Sequence, residues 1–525
     1  MALTKDQIVQ GLKNLGVRPG MVVMAHSSLS AFGEVAGGAN TVIEALLEAV
    51  GPQGTLLMPA MGSAPVFDVQ ETPSTVGTIT DVFWRRADVT RSIHPTHSAA
   101  AKGPLADELL AGHVQQPTAI GPDSPWGRVA AHPDGYILFL GCDQDRNTLL
   151  HTAEDMVNAA YLNTIQRDYL DAEGKRRTVV LERFPGPHRD FIRHDRRFLE
   201  AGAMTVGKIG NAVCRLMKAS EILRLAVEAL KEDPAAVLCD NPRCEDCVQQ
   251  RAALKAARLA EEDFTLSARL DDLGPPDQLD GALWQVKAEG VSVLEVGESY
   301  ARALVARGGD GLADFARDVA VAGCRVAVWP CLLDWAAAPE TLAVVLRSTA
   351  AEARILGANY LKLSPWLAPA PQEQAPVNAI TGVLSDLAAV AEDEKVTLLI
   401  ENHPAAYWSS AAHCRAILEG VGSPALRLAF NPAHFAQLGE KPFLGTWNRG
   451  RLKKHTAQLM IADGCGRRGW PPYTPPAQGQ GEVKELMSIL RCRSFAGLFT
   501  LTTSGSRDFD FRTEAEGFWH CLNTL

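Results

Sequence analysis

In the stretch Asn147-Thr148-Leu149-Leu150-His151-Thr152-Ala153-Glu154, an imidazole and a carboxylate lie three residues apart. On a helix that spacing puts both side chains on one face. A carboxylate beside an imidazole fixes its tautomer and stabilises the imidazolium that forms when the ring takes a proton. The pair is therefore a candidate general base, although the same spacing suits a helix with a surface ion pair. An apolar run at 135–141 precedes it and reads as a buried strand ending in glycine; 153–162 reads as a helix, with Thr148 as its N-cap. Strand, polar turn and helix start set the turn side chains at a sheet edge, where α/β proteins keep their chemistry.

Other stretches hold reactive groups. A buried strand is expected at 21–25, and His26-Ser27-Ser28-Leu29-Ser30 leaves its end as a loop rich in hydroxyls and backbone N–H groups. Such a loop can hold a phosphate or the amide arm of a pantetheine, or simply turn the chain. Thr75-Val76-Gly77 lies in a long loop at 60–78. Asp123, ahead of Ser124-Pro125, and Asp155, with Asp143 or Asp145, are candidates to attract a cationic substrate. Each also suits a turn or a solvated charge. His94 and His97 flank Pro95-Thr96 as a conceivable zinc pair or as loop histidines bonded to backbone. Cys239, Cys244 and Cys247 form Cys-x4-Cys-x2-Cys, which hints at metal but needs a fourth ligand, Cys214 or a histidine, from elsewhere.

Taken in order, His26-Ser27-Ser28-Leu29-Ser30, Gly37-Gly38-Ala39, His94-Pro95-Thr96-His97-Ser98, Ser124-Pro125-Trp126-Gly127-Arg128 and the 147–154 stretch resemble the aminoglycoside 3-N-acetyltransferase family over roughly residues 1–255. The resemblance implies a three-layer α/β/α antibiotic-acetyltransferase fold. It implies acetyl-coenzyme A, or another acyl-coenzyme A, as co-substrate, bound by His26–Ser30 and more loosely by Thr75, Val76 and Gly77. It makes His151 the base, Glu154 its orienting partner and Thr148 the donor to the tetrahedral oxyanion. Asn147 is expected to hold the turn beside the substrate, and Asp123 and Asp155 to face it. A thioester is already activated and a deprotonated amine is a good nucleophile, so no acyl-enzyme is required.

The remaining elements fit one α/β layer arrangement. Thr4 to Gln7 forms a capping box for a helix at 4–15. Helices are expected at 40–50, 82–86, 220–231 and 249–262, and strands at 54–59, 178–181 and 213–217, the last entered by a turn at 206–212.

From about residue 264 the pattern changes. Eight short apolar runs, at 264–270, 291–296, 325–329, 359–363, 396–400, 426–430, 456–461 and 497–501, alternate with helical patterns such as 309–322, 339–355 and 377–392. That is the arithmetic of a (β/α)8 TIM barrel. Polar residues at its strand ends are Glu295, Glu298, Lys362, Glu401, Asn402, His403, Asn431, His434 and Asp463. Leu399-Ile400-Glu401-Asn402-His403 and Asn431-Pro432-Ala433-His434 resemble the xylose-isomerase-like sugar phosphate isomerase/epimerase family. That resemblance implies a divalent metal held by a Glu after strand five, an Asp after strand six, a His in strand seven and a Glu after strand eight. Only Glu401 matches: the others fall on Asn431, Met460 and the Thr502-Thr503-Ser504 stretch. An amide, a thioether and one carboxylate make a poor site for a hard cation. The metal site is therefore expected to be degenerate, with Glu401, His434 and Asp463 as the candidates for a rearranged one. The loop at 464–473 sits where barrels carry substrate loops.

Composition bounds the rest. The chain has 525 residues, 46% of them apolar, with net charge −10 and eleven cysteines. Two domains are expected, 1–262 and 263–525. The acidic balance argues against nucleic acid and suits a cationic partner. An odd number of scattered cysteines fits reduced thiols. No apolar run reaches the ~18 residues of a membrane span, and the polar N-terminus lacks a signal pattern, so a cytoplasmic protein is expected. The expected partners are a small-molecule amine and an acyl-coenzyme A, with no nucleic acid, no membrane and a homodimer as the candidate assembly. An amino sugar such as an aminoglycoside, or a biosynthetic amine, is the expected acceptor. The competing reading makes the barrel a metal-dependent isomerase, epimerase or lyase with the first half accessory.

Overall fold

The computed structural model describes residues 2–184, 186, 188–262, 264–308, 310–368, 376–467, 470–492, 495–504, 506 and 510–525. Of the positions named from sequence, residue 263, Gly309, Arg468 and Gly469 lie outside the described residues. The chain divides into two compact units, Met1–Leu254 and Lys255–Leu525. The division falls inside the helix Glu245–Ala260 rather than after residue 262.

The first unit is built on a sheet of seven strands in the order Thr90–Arg91, Ala99–Lys102, Thr55–Pro59, Val22–Ser27, Gly135–Leu140, Ala212–Lys218, Met204–Ile209. Its central three strands are parallel, and the outer ones pair antiparallel. Because side chains alternate across a strand, each central strand feeds two cores. Val22 and Met24, with Ile137 and Phe139, enter the core under the helices Pro125–Ala131 and Ala219–Glu232. Val23 and Ala25, with Leu138 and Leu140, enter the core under Lys5–Leu15 and Gly38–Val50. The result is the expected α/β/α sandwich. The Thr4–Gln7 capping box forms, Thr4 N–H donating to Gln7 Oε1 at 2.9 Å. The expected turn at 206–212 is instead mostly strand. Met204–Ile209 and Ala212–Lys218 form a hairpin closed at Gly210, and exposed Val206 and Val213 show why the edge lacked a clean apolar run.

A second sheet joins Val66–Phe67 to the hairpin Asn163–Leu170 and Arg176–Arg183. Only 178–181 was legible as strand, because both hairpin strands are largely exposed and charged.

The second unit is a closed barrel of eight strands in chain order: Thr265–Arg269, Val293–Glu295, Arg325–Cys331, Tyr360–Leu363, Thr397–Glu401, Leu426–Phe430, Thr456–Ile461 and Leu498–Leu501, all parallel. Alternation again splits each strand. Leu399, Val328, Ala429 and Met460 fill the barrel interior, whereas Leu398 and Ile400 pack outward under the helices. No helix among the described residues is long and apolar enough to cross a membrane.

Candidate functional site

The C-terminal ends of the three parallel strands of the first unit open on one side of its sheet. Residues following them (Ser28, Met61 and Cys142) line a single cleft of about 1110 Å³. Chain crossovers on both sides of Val22–Ser27 make this a topological switch point, the usual crevice of an open α/β sheet. Gly141 is needed here: its φ is +73°, and a Cβ would lie 2.2 Å from Ala31 Cβ. A side chain would force apart the two loops that form the cleft floor.

His26, Ser27, Ser28, Leu29 and Ser30 all line the cleft, as do Thr75, Val76 and Gly77. The two stretches touch, since a Cβ on Gly77 would lie 3.6 Å from the Ser27 carbonyl oxygen. His26 Nε2 and Ser27 Oγ are buried with no hydrogen-bond partner among the described residues. Such groups carry a desolvation cost unless something polar meets them. Burial pushes the His26 imidazole down to about 3, so it is neutral at physiological pH.

Asn147, Thr148 and His151 line the opposite wall. Thr148 is not the N-cap. The helix runs Leu150–Met156, Leu149 takes the cap position with helical dihedrals, and no side chain caps it. Asn147 ties the turn, donating from Nδ2 to Gln144 Oε1 at 2.7 Å and accepting at its carbonyl from the Leu150 N–H at 3.0 Å.

His151 Nδ1 and Glu154 Oε2 are hydrogen-bonded partners, as the spacing allowed. The imidazole retains 21% of its side-chain exposure and the carboxylate none. Since Nδ1 is engaged, Nε2 is the nitrogen His151 offers to the cleft. Phe184 stacks on the ring at 4.8 Å between centroids, and Phe191 meets it edge-on at 5.0 Å. Glu154 Oε1 accepts from Arg189 Nε at 2.7 Å and from the Tyr161 hydroxyl. The Arg189 guanidinium also lies over the Tyr161 ring, 5.2 Å from its centre. Burial would raise the Glu154 carboxyl, but His151, Arg189 and Tyr161 together hold it below its ordinary value. Tyr161 is raised by burial and by Glu154, and stays a donor. The carboxylate is thus ionised and fully buried, and its two oxygens meet three donors.

Sequence reading missed Arg189 and Tyr161 as partners of Glu154. The helix expected at 153–162 ends early because Asn158 turns left-handed at φ +53°, and this reversal returns Tyr161 to Glu154. Arg189 arrives from thirty-five residues away, and no local spacing could reveal it.

Asp123 and Asp155 lie apart from the cleft lining: Asp123 is exposed in the turn before the N-cap Ser124, and Asp155 faces Thr118. Of the acidic candidates Asp145 does line the cleft, and Glu182 joins it from the charged hairpin. His94 is a buried loop histidine whose Nδ1 accepts the His97 N–H at 3.0 Å, and its ring stacks on His113 at 4.4 Å. His97 reaches the cleft; burial and the facing His151 and His113 lower its affinity for protons.

In the barrel, Glu401 and His434 approach within 3.8 Å. The cation beside Glu401 is the Lys362 ammonium, 3.1 Å from Glu401 Oε2, 2.7 Å from Glu295 Oε1 and 3.7 Å from Met460 Sδ. Two of the four positions where the isomerase resemblance puts metal ligands therefore touch Lys362. Burial would raise Glu401, but Lys362, His434 and Arg269 hold it far below the ordinary carboxylate range. His434 is occupied on both ring nitrogens, by the Asn402 carbonyl at 2.6 Å and the Tyr473 hydroxyl at 3.2 Å. Asp463 accepts the backbone N–H groups of Gly464, Gly479 and Gly481 at 2.6–3.0 Å, which commits it to holding its own loop. Glu298 is exposed and paired with Arg302.

The first unit is thus an α/β/α sandwich whose cleft presents a histidine–carboxylate pair, the equipment of an acid–base enzyme. More narrowly, residues 24–231 match the family model for aminoglycoside 3-N-acetyltransferase. The chain is 35% identical to aminoglycoside N(3)-acetyltransferase IV of Salmonella sp over 45% of its own length and 90% of that protein. It is 32% identical to the SPbeta prophage-derived aminoglycoside N(3')-acetyltransferase-like protein YokD of Bacillus subtilis, over 42% of its length and 90% of that relative. The crystal structure of aminoglycoside acetyltransferase AAC(3)-IVa, apoenzyme, is 34% identical, covering 47% of this chain and 96% of that one, with a TM-score of 0.44. The chain belongs, through its first unit, to the aminoglycoside 3-N-acetyltransferase family. Residues 294–518 match the family model for a xylose isomerase-like TIM barrel.

Proposed function

We propose that the protein transfers an acyl group from a coenzyme A thioester to an amine, with an aminoglycoside-like amino sugar as the first candidate acceptor. The observation that carries the reading is the His151–Glu154 pair, buried against Arg189 and Tyr161 and opening through His151 onto the cleft. The amine binds in its neutral form, and its lone pair attacks the thioester carbonyl. His151 Nε2 takes the proton that the nitrogen sheds, and Glu154 stabilises the imidazolium. Thr148 donates to the oxyanion, and collapse of the tetrahedral adduct expels the thiolate of coenzyme A, which regains a proton from the imidazolium.

His26–Ser30 and Thr75–Gly77 form the coenzyme wall, where His26 Nε2 and Ser27 Oγ supply polar atoms for the pantetheine amides. Asp145 and Glu182 supply negative charge for the ammonium groups of a polyamine acceptor. Use of acyl-coenzyme A, together with eleven free cysteines, fits a cytoplasmic setting.

The test is thiol release from acetyl-coenzyme A across a panel of aminoglycosides and simpler amines, with wild type beside His151→Ala. Amine-dependent release that is lost in the variant is expected. Release that persists undiminished in His151→Ala refutes the assigned base, and failure to bind coenzyme A refutes the reading of the cleft.

A further inference from the structure

The Cys-x4-Cys-x2-Cys run lacked a fourth ligand in sequence, and the fold supplies one. His188 Nδ1 lies 3.3 Å from Cys247 Sγ and 3.4 Å from Cys244 Sγ. Cys239 completes the group, and the four ligand atoms lie within 4.8 Å of one another. Zinc bonds of about 2.0–2.3 Å in a tetrahedron put ligand atoms roughly 3.5–3.8 Å apart, so a small contraction closes the shell. Among the described residues this is the only such group of histidine, cysteine and acidic side chains.

The surroundings match a metal–thiolate site. The Cys239 N–H points at Cys247 Sγ from 3.4 Å, the kind of amide-to-sulfur bond that supports a bound thiolate. Asp246 Oδ2 accepts the His188 N–H at 3.1 Å, which holds the histidine backbone against the cysteine turn. A disulfide explains the group less well. Any one disulfide leaves a third thiol over, and a histidine aimed at two sulfurs has no part in it.

We propose that His188, Cys239, Cys244 and Cys247 form a structural zinc site. Four protein ligands leave no open position, so the metal holds structure and does not activate water. What it holds is specific. His188 immediately precedes Arg189, the partner of Glu154, and lies between Phe184 and Phe191, which pack on His151. The zinc pegs this segment to the start of the helix Glu245–Ala260. Its effect on His151 rests on the acyltransferase reading, whereas the site itself does not.

The test is metal analysis of the purified full-length protein after dialysis into metal-free buffer, with about one zinc per chain expected if the shell is a structural site. Cobalt(II) reconstitution of the chelated protein should give intense visible bands of a tetrahedral site and a near-ultraviolet thiolate-to-cobalt band. Cys244→Ser should weaken the thiolate band, His188→Ala should hasten loss of zinc to a chelator, and Cys492→Ser, an exposed control, should do neither. Should Cys247→Ser fail to fold, these two variants at the more exposed ligands carry the test. A protein without zinc after expression in zinc-supplemented medium, with all three thiols reactive or two of them in a disulfide, overturns the proposal. So does full zinc retention in the His188→Ala/Cys244→Ser double variant. Thiol release from acetyl-coenzyme A plays no part in these readouts, so the site and the acyltransferase reading can fail separately.

Discussion

Replacing Glu154 with glutamine separates two jobs that its carboxylate performs. In the wild type, one oxygen meets His151 Nδ1 and the other meets Arg189 Nε and the Tyr161 hydroxyl. Glutamine has one accepting oxygen and one donating NH2. If the NH2 faces His151, the imidazole must accept at Nδ1 and carry its proton on Nε2, where no lone pair remains for the amine. If the oxygen faces His151, the NH2 confronts the Arg189 guanidinium, which can only donate. Either arrangement removes the charge that stabilises the imidazolium. General-base catalysis contributes about 10²–10⁴-fold, so kcat for amine acylation should fall within that range. Stability should fall too, because Arg189, 1% exposed in its side chain, keeps its charge without the carboxylate. Breaking a buried pair from one side costs about 3–5 kcal/mol. Adding Arg189→Met removes the second charge and should restore much of the stability without restoring activity. The assays are thiol release at saturating acetyl-coenzyme A and urea unfolding followed by tryptophan fluorescence. Wild-type kcat in Glu154→Gln, or recovery of kcat in the double variant, would refute the reasoning.

Three further outcomes are expected. Burial holds His26 and His97 down to about 3 and His113 and His194 to about 4. The unfolded chain, with histidines near 6.5, takes up protons that the folded chain refuses, so stability should fall as pH drops from about 6.5 toward 4. The lowered Glu154 adds its own loss only below the ordinary carboxylate range; a melting temperature flat from pH 7 to 4.5 would contradict this. Ser27→Ala should raise KM for acetyl-coenzyme A severalfold and leave KM for the amine unchanged, and the opposite split would move the coenzyme away from this loop. Lys362→Met should destabilise the barrel by about 3–5 kcal/mol, read by urea unfolding, because buried Glu295 and partly buried Glu401 lose their shared cation.

The cleft wall with His151 and Glu154 was legible because its residues are close in sequence. His151 and Glu154 are one helical turn apart, and the serine loop directly follows an apolar strand, so periodicity and turn chemistry reveal both. The barrel was legible because its eight strands are short apolar runs at regular spacing. What escaped were contacts made by chain reversal or at long range. Tyr161 depends on the left-handed turn at Asn158, Arg189 on the fold of a distant segment, and Glu182 on a charged hairpin of which only 178–181 read as strand. Asp123, Asp155 and Asp145 were all drawn in by charge and nearness in sequence, and of these only Asp145 lines the cleft, joined by Glu182 from the second sheet. His188 shows the same limit, since a ligand set split between two segments becomes complete only in three dimensions.

The Lys362 ammonium has a consequence for how the barrel balances its charge. It carries one charge, three N–H donors and no empty orbital. Those donors already face Glu295, Glu401 and the Met460 thioether, so the ammonium is spent inside the protein. At Glu295 and Glu401 the positive charge that offsets the carboxylates is therefore a covalent part of the chain. Because this cation is tethered to a strand, it cannot be exchanged for another, as a bound ion can.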